Sequence, residues 1–177
     1  FGFEESYGCL IGTHARDKDA IVATMALCEA AAYYKTQGKT LWDAMIEMYE
    51  QFGYYKDDIK AVTMKGIEGL QKIQDIMNSL RQNPPAEFAG HKVVAVRDYK
   101  ADTIKNLETG EVTPTGLPNS NVLYYELTND AWVCVRPSGT EPKVKFYYGV
   151  KGTSLADADE KSAVMGKAVL DMVDSMM

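Results

Sequence analysis

The sequence has few cysteines and no long apolar run, and each shortage excludes a class of protein. Its three cysteines, Cys9, Cys28 and Cys134, lie far apart, whereas a secreted disulfide scaffold carries paired cysteines at close spacing. We therefore expect structural thiols in a reducing cytoplasm. No uninterrupted apolar stretch reaches the roughly 18 residues that predict a membrane span, so we expect no membrane segment. The most apolar stretch, residues 20–34, predicts a buried helix.

Clustered positive charge and metal-ligand spacing are also missing. The 177 residues include 19 Lys and Arg against 25 Asp and Glu, a net charge of -6, and the basic residues are scattered along the chain. Nucleic-acid binding needs a concentrated basic surface, so we expect no nucleic-acid partner. His14 and His91 stand at no ligand spacing from the cysteines, which predicts no metal site.

Hydrophobic periodicity divides the chain into two parts. Residues 20–36 and 41–52 repeat apolar side chains at three- and four-residue steps, which predicts two helices with no strand between them. This order is typical of the helical tail of an α/β domain. The order after it is strand, helix, several antiparallel strands and helix, which predicts an α+β unit. We expect two domains, residues 1–53 and 54–177, with a boundary near Gly53. Because the chain opens at Phe1 on a loop-like segment, we also expect an excised fragment.

Individual elements of the second part follow from the same patterns. Residues 59–64 alternate as a short strand, and Gly66 precedes a helix that Pro84 and Pro85 end. The apolar stripe of this helix is predicted to contain Ile67, Leu70, Ile73, Met77 and Leu80. Further strands are predicted at residues 91–99, 122–128, 131–136 and 143–150, with a polar excursion containing a short hairpin before the second of them and a last helix after Ser154.

The segment RPSGTEPK, residues 136–143, carries the densest set of anion-binding groups. Arg136 offers a guanidinium for bidentate pairing with phosphate oxygens. Ser138 and Thr140 offer hydroxyls, and Gly139 allows successive backbone amides to converge on one point. This combination predicts a phosphate-binding loop between two strands.

The flanking strand positions bear on this interpretation. Arg136 shares a strand face with Trp132 and Cys134, so its aliphatic stem can pack, and Lys143 and Lys145 alternate outward on the next strand. The alternative is an ordinary hairpin turn, which explains the glycine and the prolines. It does not explain why arginine, hydroxyls and lysines gather at one turn of an acidic protein, and both interpretations stay open on the residues alone.

The opening segment GFEESYG, residues 2–8, places two carboxylates and a hydroxyl between glycines. Glu4 and Glu5 can accept hydrogen bonds from neighbouring sugar hydroxyls, and Ser6 can donate or accept them. A solvated acidic turn, a metal site and a general acid/base pair are the alternatives, although two adjacent carboxylates make a poor cation site without further ligands. The residues alone do not separate these readings.

A charged segment, HARDKD, precedes the first helix. His14, Arg16 and Lys18 offer cations that can face a phosphate or a proton-transfer position. The competing interpretation is helix capping, because Asp17 and Asp19 suit the positive end of a helix dipole.

Taken together, these segments resemble the α-D-phosphohexomutase superfamily of phosphoglucomutases and phosphomannomutases. GFEESYG resembles the sugar-specificity loop of the third domain of these enzymes, and RPSGTEPK resembles the phosphate-binding loop of their fourth domain. The resemblance spans essentially all 177 residues, and GFEESYG is closer to the bacterial phosphoglucomutase form than to that of phosphoglucosamine mutases. It implies that the second part has a TATA-binding-protein-like fold, an antiparallel sheet with two helices, which carries no implication of DNA binding.

The resemblance also implies roles for residues. Glu4 and Ser6 would contact sugar hydroxyls while Glu5 supports their loop, and Lys18 would face the active site as an accessory. The phosphate that is not being transferred would be held by Arg136, Ser138, Gly139 and Thr140. His14, Arg16, Lys143 and Lys145 are secondary candidates for the same site.

What the chain lacks follows from the same comparison. The superfamily's phosphoserine loop and its Mg²⁺ loop have no counterpart here, so the resemblance implies a fragment that is inactive alone and needs N-terminal domains as partners. Mg²⁺ and glucose 1,6-bisphosphate are implied only for the full-length enzyme, which interconverts hexose 1-phosphate and hexose 6-phosphate. We expect glucose phosphate before mannose phosphate as substrate. A non-catalytic phosphosugar-binding module and a structural interaction domain are the alternatives.

Overall fold

The computed structural model describes residues 1–4, 8–64, 66–139 and 141–176, and the side chain of Ile67 lies outside this description. The described residues form two compact units, Phe1–Phe52 and Gly53–Met177. They contain helices and an antiparallel sheet, so the predicted α+β class is confirmed. No helix in the described ranges is long and apolar enough to cross a bilayer.

The first unit consists of a two-stranded pair and two helices: β1 (Gly2–Phe3), β2 (Cys9–Leu10), α1 (Ala20–Thr36) and α2 (Leu41–Phe52). β1 and β2 run antiparallel. The Asp19 carboxylate starts α1 by accepting hydrogen bonds from the backbone amides of Ile21 and Val22, at 2.9 and 3.2 Å. Reciprocal hydrogen bonds between Thr40 and Asp43 precede α2, which is the capping-box arrangement. Both helices occupy the predicted ranges.

The prediction that residues 20–34 form a buried helix is wrong within this unit. Neither α1 nor α2 has a buried residue, and Ile21, Met25 and Trp42 each expose more than half of their surface. The reason is geometric. Among the described residues of this unit, α1 has as neighbours one helix and two strands of two residues, which cannot surround a 17-residue helix that is apolar on most faces.

The second unit begins with β3 (Tyr54–Thr63), α3 (Gly66–Gln82), β4 (Glu87–Phe88), β5 (His91–Asp98), β6 (Thr103–Asn106) and β7 (Val112–Thr113). It continues with β8 (Leu123–Leu127), β9 (Trp132–Pro137), β10 (Lys143–Gly152) and α4 (Leu155–Asp174). The main strand order is β3-β10-β9-β8-β5-β6-β7, with every pairing antiparallel and β4 paired to β5. The predicted short hairpin is therefore confirmed as β6–β7.

Both helices of the second unit cover one face of its sheet. The Tyr125 hydroxyl on β8 donates a hydrogen bond to the backbone carbonyl of Leu80 on α3, at 3.2 Å, and α4 lies against β10 and β3. Among the described residues the core between them is apolar or aromatic apart from Ser162 on α4, and Phe146 and Tyr148 on β10 are completely buried. Alternate strand residues point to the other side, which we call the open face of the sheet.

Two details of this unit differ from the sequence prediction. Leu70 was placed on the buried stripe of α3 but is 55% exposed, while Ile76 fills the core beside Ile73 and Met77. Leu70 thus lies on the exposed side of α3, whereas the described buried stripe runs through Ile73, Ile76, Met77 and Leu80. β3 begins at Tyr54 rather than at residue 59, since β10 pairs with it along its entire length and stabilises a polar segment that has no alternating pattern.

Candidate functional site

The predicted phosphate loop is the turn that joins β9 to β10. The amide of Ser138 donates to the carbonyl of Lys143 at 2.8 Å, and the amide of Lys143 donates to the carbonyl of Glu141 at 2.7 Å. The Ser138 hydroxyl accepts a hydrogen bond from the Glu141 amide at 3.3 Å. Thr140 lies outside the described residues, so its predicted role stays a prediction. The turn is thus closed by its own backbone, and it positions Ser138 and Gly139 at the end of two long strands.

Arg136 and Lys145 stand directly opposite each other on β9 and β10. Directly opposed residues share a face, and their Cβ atoms lie about 5 Å apart, so two like charges there repel each other. The Arg136 side chain is exposed, and within the described ranges neither cation has a carboxylate at ion-pair distance. Lys145 instead lies over the ring of Tyr147, with its Nζ 5.9 Å from the ring centroid. This is an arrangement that an anion would stabilise.

A comparison with other cations of the same surface shows how unusual this pair is. Arg97, on the open face of β5, forms an ion pair with Glu126. Lys143 lies 3.1 Å from both carboxylate oxygens of Glu141, so much of its charge is offset inside the turn. Sequence reasoning did not single out Glu141, although its position two residues before a lysine was the available signal. The secondary candidate Lys145 therefore has more free charge than Lys143.

The neighbours of Arg136 on its strand have the predicted arrangement. Trp132, Cys134 and Arg136 alternate on the open face of β9, while Val133 and Val135 are fully buried on the other side. Burial raises the pKa of the Cys134 thiol to about 11. The thiol is therefore neutral at physiological pH, and it contributes an apolar wall rather than a nucleophile.

In the first unit, the opening loop is tied to the start of α1. The amide of Glu4 donates to the carbonyl of Gly8 at 3.0 Å, which closes the loop between β1 and β2. Lys18 Nζ lies 2.9 Å from the Asp17 carboxylate and 3.7 Å from Glu4 Oε1. The hydrogen bond that Lys18 donates to the Asp17 carboxylate, assisted by the negative charges of Asp17 and Glu4, raises the pKa of Lys18. Glu5 and Ser6 lie outside the described residues.

Gly8 allows this close approach. A Cβ atom at this position would lie 2.3 Å from Lys18 Cδ and 2.8 Å from Glu4 Oε1, distances that exclude any side chain unless both neighbours move. The last glycine of the GFEESYG motif therefore brings Lys18 and Glu4 together. Sequence reasoning treated this glycine only as a boundary of the motif.

The remaining cations before α1, His14 and Arg16, differ in their contacts. His14 Nε2 lies 2.9 Å from the Asp19 carboxylate, the group that caps α1, and this bond lowers the pKa of Asp19. Arg16 is exposed, with no hydrogen bond or ion pair to the described residues. His14 thus belongs to the helix start, and Arg16 is available to a ligand.

The Mg²⁺ that the resemblance implies does not fit the residues described here. Within the described ranges, no group of three or more His, Cys, Asp or Glu side chains is arranged to hold a metal ion. Glu4 is close to Lys18, and Asp17 is bound to it, so these carboxylates are already offset by a cation.

Known protein families and solved structures resemble this chain. The family profile described as "Phosphoglucomutase/phosphomannomutase, alpha/beta/alpha domain III" matches residues 1–52. The profile "Phosphoglucomutase/phosphomannomutase, C-terminal domain" matches residues 76–166, more than half of the chain. Among solved structures, the open form of the Paramecium exocytosis-sensitive phosphoprotein pp63/parafusin, titled as a phosphoglucomutase, matches with a TM-score of 0.53. That match has 14% identity and covers 92% of this chain and 27% of the other, so it bears on the fold.

Curated relatives give closer matches. The phosphoglucomutases of Staphylococcus aureus strains bovine RF122 / ET3-1 and MSSA476 are both 38% identical over 165 residues. Each alignment covers 93% of this chain and 30% of the relative, so the chain spans about a third of the length of the relatives it matches. On the profile that covers more than half of its residues, the chain belongs to the phosphoglucomutase/phosphomannomutase family.

Proposed function

We propose that this chain provides hexose-phosphate recognition for a phosphohexomutase that interconverts hexose 1-phosphate and hexose 6-phosphate. The observation that carries the proposal is the pair of cations, Arg136 and Lys145, which face each other beside a hydroxyl-bearing turn and have no acidic partner among the described residues. We call Arg136, Lys145, Ser138 and Gly139 the anion site. Membership of the family and the similarity to phosphoglucomutases support a phosphate as the anion.

The anion site acts by positioning and electrostatics. A phosphate dianion between the two cations removes their mutual repulsion and gains charge-assisted hydrogen bonds from the guanidinium. The Ser138 hydroxyl and the Gly139 amide add donors, because the other described amides of the turn donate within it, and Thr140 is proposed to add another. Holding the phosphate that is not transferred fixes the sugar at the other end for reaction, which is the kind of positioning that lowers a barrier.

The first unit is proposed to bind the hydroxyl groups of the sugar. Glu4 has a carboxylate held near Lys18, and it can accept hydrogen bonds from sugar hydroxyls together with Ser6. We propose that residues 1–53 are the C-terminal part of the family's third domain and residues 54–177 its fourth. The exposed apolar surface of α1 supports this assignment, because a sheet from the rest of an α/β domain would cover it.

Bond-making is proposed to lie outside these residues. In the full reaction a phosphoserine donates its phosphate to the sugar phosphate. The resulting 1,6-bisphosphate then reorients and returns its other phosphate to the serine. The residues described here hold the sugar phosphate in either orientation, and Mg²⁺ would be held by other domains of the full-length enzyme. Glucose phosphate is the proposed substrate, because the similar curated proteins are phosphoglucomutases, and mannose phosphate is the second, since the family name covers both. Three unpaired cysteines suit a reducing cytoplasm.

The test is mutase activity in the longer protein that contains this sequence. Replacing Arg136 by methionine is expected to lower kcat/KM for glucose 1-phosphate by about 100-fold or more, as loss of a charged group that stabilises phosphate does elsewhere. Arg97→Met is the matched control, because Arg97 lies on the same face but is paired with Glu126, and it should retain activity within a few-fold. Equal losses in the two variants would refute the assignment of Arg136.

A further inference from the structure

A pocket lies on the open face of the second unit, outside the anion site. Its volume is about 480 Å³, within the range typical of small-molecule sites. Cys134 and Tyr124 form its floor, as opposite residues on β9 and β8. The segment between β7 and β8 forms a wall with Leu117, Pro118 and Val122.

Two polar groups of the pocket wall are already engaged. The Asn119 side chain donates to the carbonyl of Lys100 at 2.6 Å, and the Ser120 amide donates to the carbonyl of Tyr99 at 3.3 Å. The rest of the wall is mostly aliphatic or aromatic, with three hydroxyls, from Tyr99, Ser120 and Tyr124, and the neutral thiol of Cys134. A hexose, which needs a hydrogen bond for each hydroxyl, does not fit such a wall. A planar ring, which needs apolar contact, does.

This pocket lies next to the anion site on the same face of the sheet. Arg136 is the next residue after Cys134 on the same face of β9, about 6.6 Å along the strand, and Lys145 stands opposite it. One molecule can therefore place a phosphate between the two cations and a ring against Cys134 and Tyr124. The phosphate of such a molecule matches the positive charge of the anion site, and its ring matches the apolar wall of the pocket.

We propose that the pocket binds the planar ring of a phosphomonoester whose phosphate occupies the anion site, the shared chemistry of aryl phosphates and nucleoside monophosphates. This rests on the proposed function, because it uses the same phosphate position. It goes beyond that function in assigning a second ligand class. Such a ligand occupies the position of the hexose phosphate and therefore competes with it.

The test measures affinities on the 177-residue chain with four ligands: inorganic phosphate, glucose 6-phosphate, 1-naphthyl phosphate and adenosine 5′-monophosphate. The ring gains apolar contact that inorganic phosphate lacks, so 1-naphthyl phosphate is expected to bind at least about tenfold more tightly than inorganic phosphate. The adenosine ligand distinguishes the two sources of the ring. If only 1-naphthyl phosphate binds more tightly than inorganic phosphate, the pocket is assigned to aryl phosphates. If adenosine 5′-monophosphate also binds more tightly than inorganic phosphate, the pocket is assigned to planar rings in general.

Paired variants separate the pocket from the anion site. Leu117→Asp puts a charge in the pocket wall, and Leu107→Asp is its control on the same unit; both leucines are partly exposed, at 56% and 37%, so both variants should fold. Leu117→Asp is expected to remove the tenfold advantage of the naphthyl ligand and leave inorganic phosphate unchanged. Equal affinities of the naphthyl and inorganic ligands, or an unchanged advantage in Leu117→Asp, would overturn the pocket alone.

The outcome for the anion site is read separately. Arg136→Met should weaken all phosphate ligands together. If it leaves the affinity for inorganic phosphate unchanged, the proposed function fails and the pocket proposal fails with it. If none of the four ligands binds at millimolar concentration, both proposals are overturned for this chain.

Discussion

Gly166 in α4 provides a sharp test of how the second unit is packed. It is buried against β10, and a Cβ atom there would lie 2.3 Å from the Tyr148 hydroxyl oxygen and 2.8 Å from Lys60 Cε. Tyr148 is completely buried, and its hydroxyl donates to the Asp58 carboxylate at 3.1 Å. The Tyr148 hydroxyl therefore occupies the space that a side chain at position 166 would need.

The expected effect of Gly166→Ala is the balance of one favourable and two unfavourable contributions. Alanine is favoured over glycine inside a helix by about 0.5–1 kcal/mol. Overpacking a core costs about 1–3 kcal/mol, and displacing Tyr148 also weakens its hydrogen bond to a charged carboxylate, which contributes about 1.5–3 kcal/mol. The steric terms are larger, so we expect a net loss of roughly 1–3 kcal/mol, or on the order of 4–12 °C in Tm for a unit of this size.

The assay is urea unfolding of the wild type, Gly166→Ala, Tyr148→Phe and the double variant. Tyr148→Phe removes the oxygen that the new Cβ would contact, and thus Gly166→Ala should cost at least about 1 kcal/mol less in that background, a coupling of the size found between contacting residues. If Gly166→Ala stabilises the unit, or costs the same in both backgrounds, the close packing described here is wrong.

Two further predictions concern single groups. Gly8→Ala should push the Lys18 stem off the opening loop and change the NMR chemical shift of Lys18 Cε, whereas Gly2→Ala, with no atom within 4 Å of its added Cβ, should leave that shift unchanged; the same shift in both variants would contradict the contact. Because burial raises the pKa of Cys134 from 9.0 to about 11, its thiol stays neutral in the folded state while the unfolded thiol ionises between these values, so stability should fall over pH 9–11. Alkylation of Cys134 by iodoacetamide should accelerate up to about pH 11, while the exposed Cys28 serves as the accessible reference; equal alkylation of the two at pH 8 would refute the raised pKa.

Local patterns predicted the elements well where one face of the element is buried. The alternation around Val133 and Val135 placed Arg136 on the open face correctly, since a strand has a strict two-residue period. The start of β3 was missed, because Tyr54 and its polar neighbours become a strand only by pairing with β10, a contact between residues far apart in sequence. The strand propensity of single residues does not predict a contact between residues that are far apart in sequence.

The same limit applies to the site. The cations of the RPSGTEPK region were predicted from residue type, but no local rule gives the register that places Lys145 opposite Arg136. Register is fixed by the hydrogen bonds and the turn of the β9–β10 hairpin. The pocket beside Cys134 is likewise formed by a segment that the sequence indicated only as a polar excursion.

The central claim is that the turn after Arg136 binds phosphate, and backbone amide NMR on this chain tests it most directly. Inorganic phosphate and glucose 6-phosphate should both shift the amides of Ser138 and Gly139, and glucose without phosphate should not. These shifts should disappear in Arg136→Met and persist in Arg97→Met. Amides of the turn that stay unchanged at millimolar phosphate, or that shift equally in both variants, would contradict the claim.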